Sequence, residues 1–125
     1  MSVLVDSSVW IDYFRGSEGS ARLDYLIEEN LVAVNELILA EIIPALHIKR
    51  QAKLVDLMRQ IACPALHIDW DDLIRMQITC LRNGINRVGI PDLMIAQHAI
   101  QNRLELYSLD KHFQMLARQT PLALY

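Results

Sequence analysis

A chain of 125 residues, 53% of them hydrophobic, is long enough to bury a core without disulfides or metals holding it together, and residues 1–125 are expected to form one domain. A formal net charge of −3 and a pI near 5.7 exclude indiscriminate electrostatic binding to nucleic acid, while leaving room for a local basic rim. The mean hydropathy of +0.19 is high for so small a soluble protein and points to self-association or a partner chain.

Cys63 and Cys80 stand far apart with no matching Cys/His pattern, so neither a disulfide framework nor a zinc site is indicated. Free buried thiols in a reducing compartment are expected instead. Met1 to Val5 lacks the basic start and long apolar run of a signal peptide. Leu31 to Ile48 is the nearest approach to a membrane span, but it carries Asn35, Glu36, Glu41 and Pro44, which a bilayer tolerates poorly. A cytoplasmic protein without a membrane partner is expected.

The stretch Ser2 to Asp12 is entered through a run of four or so apolar, β-branched residues, starting at the very N-terminus, that reads as a strand buried on both faces, as in a parallel sheet. Asp6 falls at its C-terminal end, the edge where open α/β sheets bind ligands. Asp6, Ser7 or Ser8 can also cap the helix expected from Ser7 to Phe14, so capping and ligand binding both stand at this point. Arg15-Gly16-Ser17 ends that helix. Gly19 to Asn30 is expected as an amphipathic helix facing inward through Leu23, Leu26 and Ile27, and Leu31 to Val34 as a second strand. Asn35 suits the N-cap of a helix from about Glu36 to Lys49. That helix is apolar almost all round and is expected to be largely buried, with Pro44 kinking or breaking it. Glu41 at its middle then needs a partner or a metal ion. Glu36 lies about 140° further round and suits the helix dipole instead.

Gln51 to Ala62 is expected to pack through Leu54, Leu57, Met58 and Ile61, with Pro64 marking its end. Leu66 to Ile68 reads as a third strand, and Asp71 to Arg82 as a helix facing inward through Ile74, Ile78 and Leu81. After a loop containing Arg87 and Gly89, Asp92 opens a helix directly behind Pro91, with Ala96 and Ala99 allowing close packing. Leu104 to Leu109 is a fourth strand ending in Asp110, which repeats the opening arrangement of strand then acid. Lys111 to Gln119 is a last helix with Phe113, Leu116 and Ala117 turned inward, and Leu122 to Leu124 a terminal strand.

Strands alternating with helices imply a parallel sheet whose right-handed crossovers put every strand's C-terminal end on one edge. Asp6 and Asp110 fall on that edge, helices returning from it begin near Asp92, and Glu41 can reach the same pocket. Four carboxylates so close would raise one another's pKa unless a cation neutralised them. An oxygen-only donor set of this kind suits Mg²⁺ or Mn²⁺, and such ions can activate water against a phosphodiester.

The segments VLVDSSVWIDYF, LILAEI around Glu41, GIPDLMIAQHA and LYSLDKHF together resemble the PIN-domain ribonucleases, and among them the VapC-type toxins of toxin-antitoxin pairs. The resemblance spans essentially the whole chain. It implies an α/β fold, a three-layer α/β/α PIN-like domain with a five-stranded parallel sheet, and a Mg²⁺ or Mn²⁺ site. Carried over by position, the acids are Asp6, Glu41, Asp92 and Asp110, and Ser8 matches the hydroxyl beside the first acid. Asp6, Glu41 and Asp92 are expected nearest the first ion, with Asp110 completing the shell through water. The implied activity is a metal-dependent endoribonuclease in which an activated water attacks RNA in line and leaves a 5′-phosphate. Homodimers and a cognate antitoxin whose tail enters the groove are also implied. Asn35, where a small hydroxyl residue is common, and Pro44 depart from the family pattern.

Arg15, Arg87 and Lys111 are the cations best placed to rim the groove and meet RNA phosphates. Of the four histidines only His112, two residues after Asp110, falls near the acids, and packing or solvent exposure is the default for all four. Trp10 can stack on a base or anchor the core or an interface. A phosphoacceptor receiver domain would need adjacent acids after the first strand and a lysine ending the last, and this chain has neither. A PIN-fold nuclease acting on DNA or structured substrates, and a non-catalytic RNA- or partner-binding module, remain the alternatives.

Overall fold

The strand β1, Val3–Val5, is buried at every position, and its neighbours follow from that burial. The computed structural model describes residues 2–125; Met1, at the head of the first expected strand, lies outside the described residues. Along the chain come α1 (Ser7–Phe14), α2 (Ser20–Glu28), β2 (Val32–Ala33), α3 (Glu36–Ile48), α4 (Ala52–Gln60), α5 (Trp70–Arg82), α6 (Ile90–Gln101), β3 (Glu105–Tyr107) and α7 (His112–Gln119). The sheet order is β2-β1-β3. Both pairings are parallel, with Val3 opposite Val32 on one side and opposite Glu105 on the other. Helix α1 packs on α2 and α3, and α3 on α4, while α5 to α7 form a second group joined to the first where α3 meets α6, so helices cover the sheet as a parallel sheet requires.

Among the described residues three strands stand where five are expected. Positions for the missing two survive as single parallel bridges, Ala33 to Ala62 beside β2 and Leu106 to Leu124 beside β3. The expected strand Leu66–Ile68 is irregular because side chains satisfy the backbone there instead of a ladder. Leu66 N–H donates to Glu36 Oε1 at 3.3 Å, and Gln101 Nε2 donates to the His67 carbonyl at 3.0 Å. At the other edge Pro121 removes a donor, and only Leu106 and Tyr125 N–H groups bond across.

Helix α3 runs on through Pro44 without the break that a kink-or-break expectation allows. Its apolar composition also overstates its burial: Ile38, Ile42 and Leu46 are buried, whereas Ala40, Glu41, Pro44 and Ala45 are exposed. Packing along one face holds the helix together, and the proline ring sits on the other. The phase of α5 is likewise reversed from expectation. Leu73, Met76 and Cys80 face inward, while Trp70, Ile74, Ile78 and Leu81 are exposed, Trp70 by 61% and Ile74 by 58%. The start of the helix sets this phase. Asp69 Oδ1 caps the Asp72 N–H at 3.1 Å, and buried Gln97 on α6 bonds both the Asp69 backbone and the Asp72 carboxylate. Leu57 and Ile27 are exposed too, and Cys63 is an exposed thiol where a buried one is expected; Cys80 is buried.

A buried polar lock ties α3 to α6. Asn35 Oδ1 accepts from Ile38 N–H at 2.8 Å, capping α3, and Asn35 Nδ2 lies 3.3 Å from His98 Nδ1. His98 Nε2 is 3.0 Å from the Pro64 carbonyl, which can only accept, so the neutral ring carries its proton on Nε2 and accepts at Nδ1. Burial pushes the His98 pKa below its ordinary value of 6.5. Ala96 and Ala99, both fully buried, let α6 approach its neighbours closely.

Asn35→Ala is expected to cost about 1–2 kcal/mol through loss of the cap alone, read as a lower urea midpoint. The unfolded chain takes up a proton at His98 at higher pH than the folded chain. Its contribution to stability is therefore complete above pH 6.5 and is lost as pH falls below it. His98→Gln is expected to flatten that decline in a series of urea titrations across the acid range.

Candidate active site

Asp6 ends β1 and occupies the N-cap position of α1, yet its carboxylate makes no capping hydrogen bond. With 5% of its surface exposed, its Oδ2 accepts instead from two hydroxyls, Ser8 Oγ and Ser108 Oγ, each at 2.8 Å. Those hydroxyls are themselves held by the backbone beyond β3. Ser8 Oγ accepts from Leu109 N–H at 3.1 Å, and Ser108 Oγ accepts from Asp110 N–H at 3.0 Å. Asp6 N–H also donates to the Tyr107 carbonyl at 2.9 Å. The ends of β1 and β3 are thus stitched together around one buried carboxylate, which separates its role from the capping alternative.

Glu41 reaches this edge from the exposed side of α3. Partial desolvation first, then the charges of Asp6 and Asp92, raise its pKa, and a Ser7 hydroxyl opposes the shift. Asp92 lies in the first turn of α6 behind Pro91. Desolvation again leads in raising it, followed by the charges of Asp110 and Asp6, while His112 and the Gly89 backbone N–H pull the other way. The four expected acids therefore sense one another in a chain from Glu41 through Asp6 and Asp92 to Asp110.

The tightest grouping of possible ligand atoms among the described residues is Asp92, Asp110 and His112, one from each and all within 4.8 Å of one another. This groups the acids differently from the expected set of Asp6, Glu41 and Asp92 with Asp110 outside. His112 Nδ1 sits 3.1 Å from Asp110 Oδ1, and the His112 backbone N–H donates to the same oxygen at 2.9 Å.

Arg15, Arg87 and Lys111 are all exposed. Arg15 lines a groove of about 390 Å³ together with Glu41, Ile42, Leu46 and Lys49. Trp10 is a core anchor, with its indole N–H donating to the Val5 carbonyl at 3.2 Å. Sequence reasoning missed Ser108. Its signal lies in the symmetry of VDSS and SLD: a hydroxyl stands two residues after the first acid and two residues before the last.

A sequence model described as PIN domain matches residues 3–119. No curated protein matches the chain significantly by sequence. Among solved structures, the VapBC2 complex of Rickettsia felis bound to a promoter DNA fragment is similar with a TM-score of 0.78 at 18% identity, covering 100% of this chain and 98% of that one. DNA-bound VapBC from Salmonella typhimurium gives a TM-score of 0.77 at 15% identity, covering 100% and 97%. VapC20 of Mycobacterium tuberculosis, a toxin described as cleaving the sarcin-ricin loop, gives 0.62 at 19% identity, covering 98% and 99%. At these identities the likeness is one of fold.

Glu41 and Asp92 hold their protons to higher pH in the folded chain than in the unfolded one. Without a cation, stability is therefore expected to fall as pH rises from the ordinary carboxylate range through the raised values. Asp92→Asn should melt above the unsubstituted protein at neutral pH in chelator, with the difference closing on acidification; differential scanning calorimetry checks both arms.

Proposed function

The chain belongs to the PIN domain family, and from that premise we propose that it is a Mg²⁺- or Mn²⁺-dependent endoribonuclease acting as the toxin of a type II toxin-antitoxin pair. The observation that carries this reading is geometric: possible ligand atoms of Asp92, Asp110 and His112 lie within 4.8 Å of one another, and the buried Asp6 carboxylate is tied through Ser108 to the Asp110 backbone at the same sheet edge. Their oxygen donors fit a hard divalent cation, whose charge would offset the desolvation, and after it the like charges, that raise Glu41 and Asp92. When bound, the cation supplies Lewis-acid activation of water and neutralises charge developing on a phosphodiester.

The chain's own residues do the positioning. Asp6, Glu41, Asp92 and Asp110 hold the cation in this reading. Ser8 and Ser108 fix the rotamer of Asp6, so the donor is in place before the cation arrives. Arg15 beside Glu41, Lys111 beside Asp110 and Arg87 in the loop before α6 offer exposed cations to RNA phosphates. Against an overall charge of −3, such a rim confines RNA to the cleft.

The groove that Arg15 and Lys49 share with Ile42, Ala45 and Leu46 opens beside Glu41, which supports docking of an antitoxin tail with apolar anchors and an acidic or phosphate-mimicking tip. The exposed stripe Trp70, Ile74, Ile78 and Leu81 on α5 supports a homodimer. No helix among the described residues is long and apolar enough to cross a membrane, in keeping with a cytoplasmic protein.

Incubation of the purified chain with mixed RNA is expected to give new 5′-phosphate ends with Mg²⁺ or Mn²⁺ and none with chelator, read by end-sequencing. Asp6→Asn keeps an oxygen to accept from both serines and should fold normally by circular dichroism. Loss of an outer-shell partner typically costs about 10–100-fold in metal-site function, so loss of this ligand should exceed about 100-fold in cleavage. Undiminished cleavage by that variant would overturn the assignment, and cleavage of DNA in preference to RNA would redirect it.

A further inference from the structure

We propose that His112 supplies a nitrogen ligand to the cation site, making the site favour Mn²⁺ over Mg²⁺. The inference rests on the reading of the acid cluster as a cation site and adds a donor of a different kind. It begins from the local fold: β3 ends at Tyr107, Asp110 follows within three residues, and α7 starts at His112. Phe113, the next residue, is 1% exposed and fixes the first turn of α7 against the core. The imidazole therefore projects from a rigid position.

Two contacts hold that position. Asp110 Oδ1 accepts the His112 backbone N–H at 2.9 Å and lies 3.1 Å from His112 Nδ1. The ring is about 30% exposed, so it is half-buried beside Asp110 and not in bulk solvent. Possible ligand atoms of His112, Asp92 and Asp110 all fall within 4.8 Å of one another. Ligands on opposite sides of an ion with bonds of about 2.1 Å stand roughly 4.2 Å apart, and adjacent ones closer. The observed span matches one shared ion after a small inward movement of side chains.

An imidazole changes the selectivity of such a site. Mg²⁺ is held by carboxylates, phosphates and waters and gains little from a nitrogen donor. First-row transition ions bind imidazole readily, and Mn²⁺ also accepts the carboxylates already present.

The test uses the full chain with Mn²⁺ as the probe. Pulsed electron paramagnetic resonance on the Mn²⁺-loaded protein is expected to show nitrogen coupling that changes when histidine is labelled with ¹⁵N and disappears in His112→Gln. Calorimetric titration should show the variant losing roughly 10-fold or more in Mn²⁺ affinity, with a smaller loss for Mg²⁺. Isotope labelling of the unsubstituted chain gives an answer even if the variant folds poorly. Mn²⁺ that binds, and is lost in Asp92→Asn, yet shows no nitrogen coupling would overturn the role of His112 and leave the carboxylate site standing. Failure of the unsubstituted chain to bind Mn²⁺ at all would overturn both readings.

Discussion

Asp6, Glu41, Asp92 and Asp110 gather at the end of a parallel sheet, and a cluster of carboxylates persists only where each is anchored more firmly than like charge pushes it. The anchors differ in kind. Asp6 extends from a strand with no exposed position and is gripped by two hydroxyls. Glu41 stands on a helix whose start is locked by Asn35 and His98. Asp92 sits on a helix pressed into the core through Ala96 and Ala99. Asp110 is bound by its own N–H to Ser108 and by its carboxylate to the start of α7. Folding energy gathered in the core is what holds the charges together.

Much of this arrangement was legible because it is local or follows from topology. A three-residue apolar strand ending in an acid can point that acid only toward the ligand edge, and the same logic applies to Asp110. Asn35 sits where an N-cap must be, and it caps. The remainder depended on partners remote in sequence. The outward turn of Ile74 and Ile78 is set by Gln97 gripping the start of α5 from 25 to 28 residues away, so helical periodicity found the stripe but not the side it faces. The expected third strand failed because Glu36 and Gln101 satisfy its backbone from elsewhere. His98 reads as an ordinary helix residue until Asn35 and Pro64 are brought beside it.

The second surprise lies in composition. Helices α3 and α5 are apolar on two faces, and in each the core takes one of them. The high hydropathy of the chain is therefore distributed between an interior and two outer surfaces, one beside the acid cluster and one on α5. Such a division keeps the apolar surface beside the acids apart from the one on α5.

The edges of the sheet carry a consequence of their own. Beyond β2 and β3 the sheet is finished by single bridges at Ala62 and Leu124, with Pro64 and Pro121 close by. A long unpaired edge strand invites a neighbouring molecule to add its own backbone and begin a fibril. Here each edge offers a single bridging residue with a proline two or three positions away, so the protein can keep apolar side chains on its surface while denying other chains a template for growth.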